Sequence, residues 1–326
     1  MAGIVEVLQF PNDVHDDVLS AYLLWNAVSL FYGWCTGQSP PAAIGLLPWN
    51  DLIAWAQQRL PAHLMMELHC YADRLDLHYA FRVHASLPLP TFEDPTRSSR
   101  AERMAQHLLE SGACTLWGAA RQVVAALVLE LPRHAFAKAW SQGSSMTFGV
   151  YGKGPFTGLC RQTLTHSNTI RLLNQLLLRI CPHHHWSTIT VLHNYRTPVH
   201  LDRQNGPEPN LLMSLSFHEQ GEIWIEGEDG REFVDCDEGM VRGERHSLNL
   251  QAIRFEAHRY RHCTCDWSGT DRVMLAAYTV NRWEHLAGHH LEQLERLGFV
   301  LPPRRMVHQP GLHHDRIPTV LRDGFV

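Results

Sequence analysis

The chain has 326 residues, 45% of them hydrophobic, which is enough apolar surface for one large domain or two ordinary ones. Its formal charge of −5 excludes a blanket attraction to phosphate backbones or anionic membranes and leaves room only for a local basic patch. Eight scattered cysteines make no disulfide framework, and the opening MAGIVEVLQFPNDVHDD lacks the basic segment and compact apolar core of a secretory signal. An intracellular, reducing setting is the expectation.

Residues 16–34 place Leu19, Leu23, Leu24, Ala27 and Leu30 on one helical stripe with acidic residues at its positive end. The apolar stretch AYLLWNAVSLFYGW within it reads as too short to span a bilayer, so no membrane partner is expected. Residues 48–59, 61–72, 98–111 and 118–139 also read as helix, giving a helical N-terminal region over 1–140. Within it, SLPLPTFEDPTRSSR (86–100) is the expected exposed loop, with three prolines. From about residue 141 the texture changes. Glycine-rich SSMTFGVYGKGPFTG suggests a strand and turns, and SNTIRLLNQLLLRI reads as a helix capped by Ser167.

Short strands follow at 187–195, 210–217, 222–228, 231–236, 247–257 and 272–280, separated by turn residues such as EDG. This pattern predicts an α+β protein whose second part, 141–303, is a sandwich or jelly roll with flanking helices. The helix in EHLAGHHLEQLERLG should end at Gly298, before Pro302 and Pro303, leaving a tail over 304–326.

Among 23 histidines, His200 in VLHNYRTPVHLDRQNG is singled out by geometry. Alternate side chains of an extended segment share a face, so His200 and Asp202 project together and can grip one metal ion. A third ligand must come from elsewhere in the fold; the candidates are His218, His246, His258 and His262. In RHCTCDWSGTDRVML, a turn at residues 266–270 would pair His262 with Met274 across an antiparallel hairpin. Arg272 then shares the face of His262, about 7 Å along the strand. That offset suits a small dicarboxylate that chelates the metal at one end while Arg272 clamps the other.

Several pieces in order, TITVLHNY, HLDRQN, GEIWIE and FEAHRYRHCTCDWSGTDRVMLAAYT, resemble the iron(II)/2-oxoglutarate-dependent dioxygenase superfamily, in particular its compact TET/JBP-like branch. The resemblance covers residues 144–302. It implies a double-stranded β-helix, with His200, Asp202 and His262 as ligands of Fe(II) and Arg272 as the anchor of 2-oxoglutarate. Asn194 and Tyr195 resemble residues that touch this co-substrate. The implied chemistry is oxidation of a substrate C–H bond with dioxygen and 2-oxoglutarate. A nucleic-acid base is a candidate substrate by this resemblance, without support from net charge.

The sequence departs from the pattern at Gln220, where a glycine is usual, and at Glu256 and Asp266. His258 therefore stays open as a distal ligand. A non-catalytic copy of the fold, and a cupin-like metalloprotein without 2-oxoglutarate, are the alternatives. The run His183–His185 reads as structural, because consecutive side chains do not converge on one ion. Cys263 and Cys265 lack the second ligand pair of a zinc site.

Overall fold

The computed structural model describes residues 4–79, 87–91, 98–112, 114–131, 143–154 and 156–304. The helix expected over 118–139 ends at Ala125, and Glu130 bridges Ser145 instead; residues 132–139 and nearly all of the C-terminal tail lie outside the described residues. In the first part of the chain, strand β1 (Val5–Gln9) precedes helices α1 (Asn12–Thr36), α2 (Trp49–Gln57), α3 (Ala62–His78), α4 (Arg100–Glu110) and α5 (Leu116–Ala125). Next come β2 (Ser144–Lys153), β3 (Phe156–Leu159), α6 (Ser167–Ile180), β4 (Thr188–His193), β5 (Asn210–Ser214), β6 (Glu219–Gln220) and β7 (Ile223–Glu226). The remainder is β8 (Glu232–Cys236), β9 (Gly239–His246), β10 (Gln251–Phe255), β11 (His262–Thr264), β12 (Trp267–Ser268), β13 (Val273–Tyr278) and α7 (Gly288–Arg296).

The protein is α+β, with antiparallel pairing throughout its sheets. A seven-stranded sheet has the order β1-β10-β5-β13-β4-β2-β3 and a four-stranded sheet the order β11-β7-β9-β8; β12 and β6 pair separately. Successive segments swing between the two larger sheets. After β4 the chain crosses to a bridge at His200, which pairs with His262 at the start of β11, then returns to β5 and crosses again to β7.

Pleating divides the large sheet into two faces. Ile189, Val191, Leu211, Met213, Ala252, Leu275 and Ala277 enter a core with Ile170, Leu173, Leu176 and Leu177 of α6. Their alternates Leu192, Leu212, Ile253, Phe255 and Met274 pack against Ile223 and Ile225 of the small sheet. The large sheet is thus covered on both faces, which is why its strands read as nearly continuous apolar runs such as TITVL and VMLAAY. Truncating one fully buried leucine here, such as Leu211→Ala, would cost about 2–5 kcal/mol.

The N-terminal third is not helical throughout. Strand β1 forms an edge of the large sheet, with Val5 opposite Phe255 and Gln9 opposite Gln251. Phe10, Val14 and Val18 share the core of α4, α5 and α6, whereas Leu24, Val28, Leu52 and Leu68 form a second cluster among α1, α2 and α3. At 25 residues, α1 is longer than its apolar stretch suggested. By length and hydropathy it meets the measure of a membrane-crossing helix, and 22% of its most apolar window is buried inside the protein.

Ser167 does not cap α6 with its side chain; it is the helix's first residue. The free N–H groups of that end go to Glu102 of α4 instead. Its carboxylate accepts from Asn168 N at 2.6 Å, Thr169 N at 3.0 Å and the Thr169 hydroxyl at 3.0 Å. At the other end of the chain Gly298 follows α7 with φ +89°, the left-handed turn that glycine adopts without strain.

Candidate metal centre

His200 and Asp202 lie on one extended segment, and His262 begins β11. The His200–His262 bridge exchanges two backbone hydrogen bonds of 3.0 Å, which sets the imidazoles side by side with ring centroids 4.2 Å apart. Asp202 is held by its own backbone bond to Ala257 O at 2.9 Å. The ligating atoms of the three side chains lie within 4.8 Å of one another, with His200 Nε2 3.4 Å from Asp202 Oδ1 and His262 Nε2 3.9 Å from Asp202 Oδ2. His218, His246 and His258 are not in this group.

Each imidazole is oriented from behind. His200 Nδ1 donates to Pro198 O at 2.8 Å and His262 Nδ1 to Tyr260 O at 3.1 Å, which leaves both Nε2 atoms turned toward the carboxylate. Backbone acceptors of this kind fix the tautomer of metal-binding histidines. Asp202 Oδ2 accepts from Asn205 Nδ2 at 3.1 Å and Asn210 Nδ2 at 2.9 Å. Burial opposes charge at all three groups, but at His200 the bond and charge of Asp202 prevail and raise its pKa. Asp202 is likewise lowered by the two imidazoles and Asn210 against the effect of burial. His262, most deeply buried, is pushed down to about 4 by desolvation and the His200 charge. The two imidazoles are thus pushed in opposite directions, His200 toward the protonated form by Asp202 and His262 toward the neutral form by burial.

Two nitrogens and one oxygen, converging within 4.8 Å, form a 2-His-1-carboxylate set, the donor set of non-haem iron(II) with other positions open. The three side chains fit such an ion. One ligand atom from each residue lies within 4.8 Å of the others, and binding would draw them toward the roughly 3 Å that adjacent ligands adopt at bond lengths near 2.1 Å.

Arg272 does not reach its place through the expected hairpin. β11 and β13 belong to different sheets, His262 lies opposite Ile225, and Met274 lies opposite Ser214 and Leu192. The intervening residues form a crossing between sheets, with Trp267 and Ser268 pairing onto β6, instead of a turn that folds β13 back onto β11. Arg272 still takes the inner face, at the position alternate to Met274. It is 2% exposed, its Nε donates to Gly221 O at 3.1 Å, and its Nη2 is buried without a hydrogen-bond partner. No carboxylate makes an ion pair with it among the described residues. Burial accordingly lowers its pKa to about 10, with weak opposition from Cys265 and Glu222. This orphaned cation suits an anionic ligand such as a carboxylate.

Asn194 and Tyr195 sit differently. Asn194 Oδ1 accepts from Arg272 N at 2.8 Å and its Nδ2 donates to Asp271 at 2.8 Å, so both ends of the amide hold the start of β13. Tyr195 is half-buried, and burial raises its phenol pKa. His184, alone of its histidine run, is buried; it stacks on Trp186 and bonds Ala277 O at 3.2 Å.

Sequence reading missed Asn205, Asn210 and Gly221. The spacing N-x-x-x-x-N after HLD offered a faint signal for the first two. Gly221 has φ +70°, and a Cβ there would meet His218 Cδ2 at 2.7 Å and Arg272 Nε at 3.1 Å. Tyr278 bonds the Thr190 hydroxyl at 3.1 Å, which in turn lies 3.0 Å from that of Thr147. Nothing local to their sequence marks these hydroxyls as neighbours.

No protein-family model matches the chain, and no curated protein matches it either. Solved structures resemble it weakly. One, titled NgTET1 in complex with 5mC DNA, aligns with 42% of this chain at 12% identity and a TM-score of 0.27, and the chain spans 61% of its length. An oxidoreductase of the 2OG-Fe(II) oxygenase family from Burkholderia pseudomallei aligns with 43% of this chain and 71% of its own at 13% identity and a TM-score of 0.31. A Pseudomonas putida prolyl-4-hydroxylase aligns with 55% of this chain and 88% of its own at 12% identity and a TM-score of 0.31. Likeness at this level is silent on chemistry.

Proposed function

We propose that the chain is an iron(II)- and 2-oxoglutarate-dependent oxygenase, with residues 141–303 as its double-stranded β-helix. The observation that carries this reading is the convergence of His200, Asp202 and His262, each imidazole fixed from behind, in a protein that also buries an unpaired Arg272 ten residues beyond His262. The swing of successive strands between two antiparallel sheets supports the fold assignment.

His200, Asp202 and His262 would hold Fe(II), and Arg272 would hold the distal carboxylate of 2-oxoglutarate as a planar donor that stays charged. When bound, iron and 2-oxoglutarate would activate dioxygen, the oxidant for a substrate C–H bond, with 2-oxoglutarate going to succinate and carbon dioxide. The protein's own residues do the rest. Asn205 and Asn210 keep the Asp202 carboxylate in one rotamer, Asn194 fixes the backbone at Arg272, and the inner-face apolar residues exclude water.

The test is an anaerobic titration with Fe(II) and 2-oxoglutarate. The expected result is a metal-to-2-oxoglutarate absorption band, and succinate formation once dioxygen is admitted. Arg272→Ala should lose 2-oxoglutarate binding and keep iron. Absence of both band and succinate in the wild type would sink the enzyme reading. Metal-dependent activity that is indifferent to Arg272→Ala would instead indicate a cupin-like protein.

A further inference from the structure

Helices α1 and α3 pack through Leu24, Val28, Leu68 and Ala72, and beside that seam they leave an open trough of about 560 Å³. Leu23, Ala27, Leu30 and Phe31 of α1 and Met66 of α3 line it. Leu30 and Met66 are 49% and 66% exposed, and Leu77, three turns beyond Met66 on the same stripe of α3, is 76% exposed. Contiguous apolar surface of this kind marks a contact with another molecule.

The charges beside it say which molecule. Among the described lining residues two are charged, Glu67 and Arg74, both exposed, and neither forms an ion pair with a described residue. They stand two helical turns apart on one flank of α3, with Cys70 and Tyr71 midway between them. A two-fold axis across α3 at that midpoint lays a second copy antiparallel on the first, and each Glu67 then meets the partner's Arg74. Both charges are satisfied by one operation. A wholly acidic or wholly basic partner surface would leave one of them facing its like.

We propose that this face joins two copies of the chain in an isologous contact, α3 against α3, in which the apolar walls of the two troughs cover each other and the Glu67–Arg74 pairs fix the register. Exposed ion pairs add little affinity, so the apolar residues drive association and the charges select the antiparallel alignment.

Sedimentation equilibrium of the full chain tests it. The expected species has twice the 37.3 kDa mass of one chain, with a dissociation constant below about 10 µM. Glu67→Arg places like charges opposite each other on that flank and should weaken the dimer at least about tenfold, and Arg74→Glu should do the same. The double variant Glu67→Arg/Arg74→Glu restores every opposite-charge pair and should recover wild-type affinity to within about threefold. Both positions are exposed, so an unchanged melting curve is expected in all three variants. A wild type that stays monomeric at about 100 µM would leave the trough to a different chain and overturn the proposal. A dimer that neither single reversal weakens, or a double variant no tighter than the singles, would overturn it equally.

Discussion

At the scale of single residues, the metal centre depends on side chains that would never touch the ion. Asn210 is 4% exposed and donates to Asp202 Oδ2 at 2.9 Å, so Asn210→Ala should free the carboxylate to rotate without emptying the core. Loss of such an outer partner typically weakens metal binding about 10- to 100-fold. Titration of the metal-free protein with Fe(II) under anaerobic conditions, alongside an unchanged melting curve, would check this; undiminished affinity would show that Asp202 is held by Asn205 alone. Protons give a second handle. His200 has its pKa raised, so it carries a proton below neutral pH that a metal must displace, whereas His262 is already neutral with a pKa of about 4. Metal binding should therefore release close to one proton near pH 6 and progressively fewer as pH rises past the His200 pKa, so that affinity falls with acidification. Calorimetry in buffers of different ionisation enthalpy measures the number released. His200 and Asp202 were legible as a pair because alternation along an extended chain is a local rule. The place of His262 beside them depends on a contact far along the chain: the expected hairpin at 266–270 and the likeness to a known pattern both pointed to His262, but its backbone bridge with His200 has no local signal.

At the scale of elements, periodicity located most helices and strands, and their boundaries shifted where a distant group took over a local role. Ser167 had the chemistry of a cap, yet the buried Glu102 receives the α6 N–H groups instead. A carboxylate at a helix N-terminus gains from both the free donors and the helix dipole. Glu102→Ala should destabilise the fold by about 2–3 kcal/mol through the unsatisfied donors and the lost charge-assisted bonds. Urea denaturation would measure this, and a change below about 0.5 kcal/mol would show that water serves the helix end as well. The hairpin expected between β11 and β13 failed for a related reason. A turn signal such as DWSGT tells that the chain changes direction, not which sheet it joins next. Strand β9, GMVRGERH, was passed over because its alternation is polar on the solvent side and weakly apolar on the other. Gln220, which departs from the glycine of the resembled pattern, adopts φ 60° in the left-handed region, a turn that its side chain disfavours.

At the scale of the whole molecule, the N-terminal region and the sheets are one packed body around a shared core, joined by β1 at the sheet edge and by Arg179 of α6 clasping Asp13 of α1 at 2.8 Å. Composition could not reveal this, since a helical segment packs or stays separate according to faces that only the fold brings together. Charge distribution bears on the substrate. Arg196, Arg245, Arg254 and Arg261 each pair with a carboxylate, namely Asp266, Glu232, Glu6 and Glu226, at 2.7–3.2 Å. Arginines so neutralised have little to offer a phosphate backbone, because affinity for duplexes comes chiefly from release of counterions by uncompensated cations. Together with a net charge of −5, this predicts that a short DNA duplex binds more weakly than about 100 µM at physiological salt, with a shallow dependence on salt concentration. Fluorescence anisotropy across a salt series measures both quantities. Weak binding would direct the search toward small-molecule or protein side-chain substrates. Micromolar or tighter binding with a steep salt slope would mean that the arginines exchange their carboxylates for phosphates, and would restore a nucleic-acid base as the leading substrate.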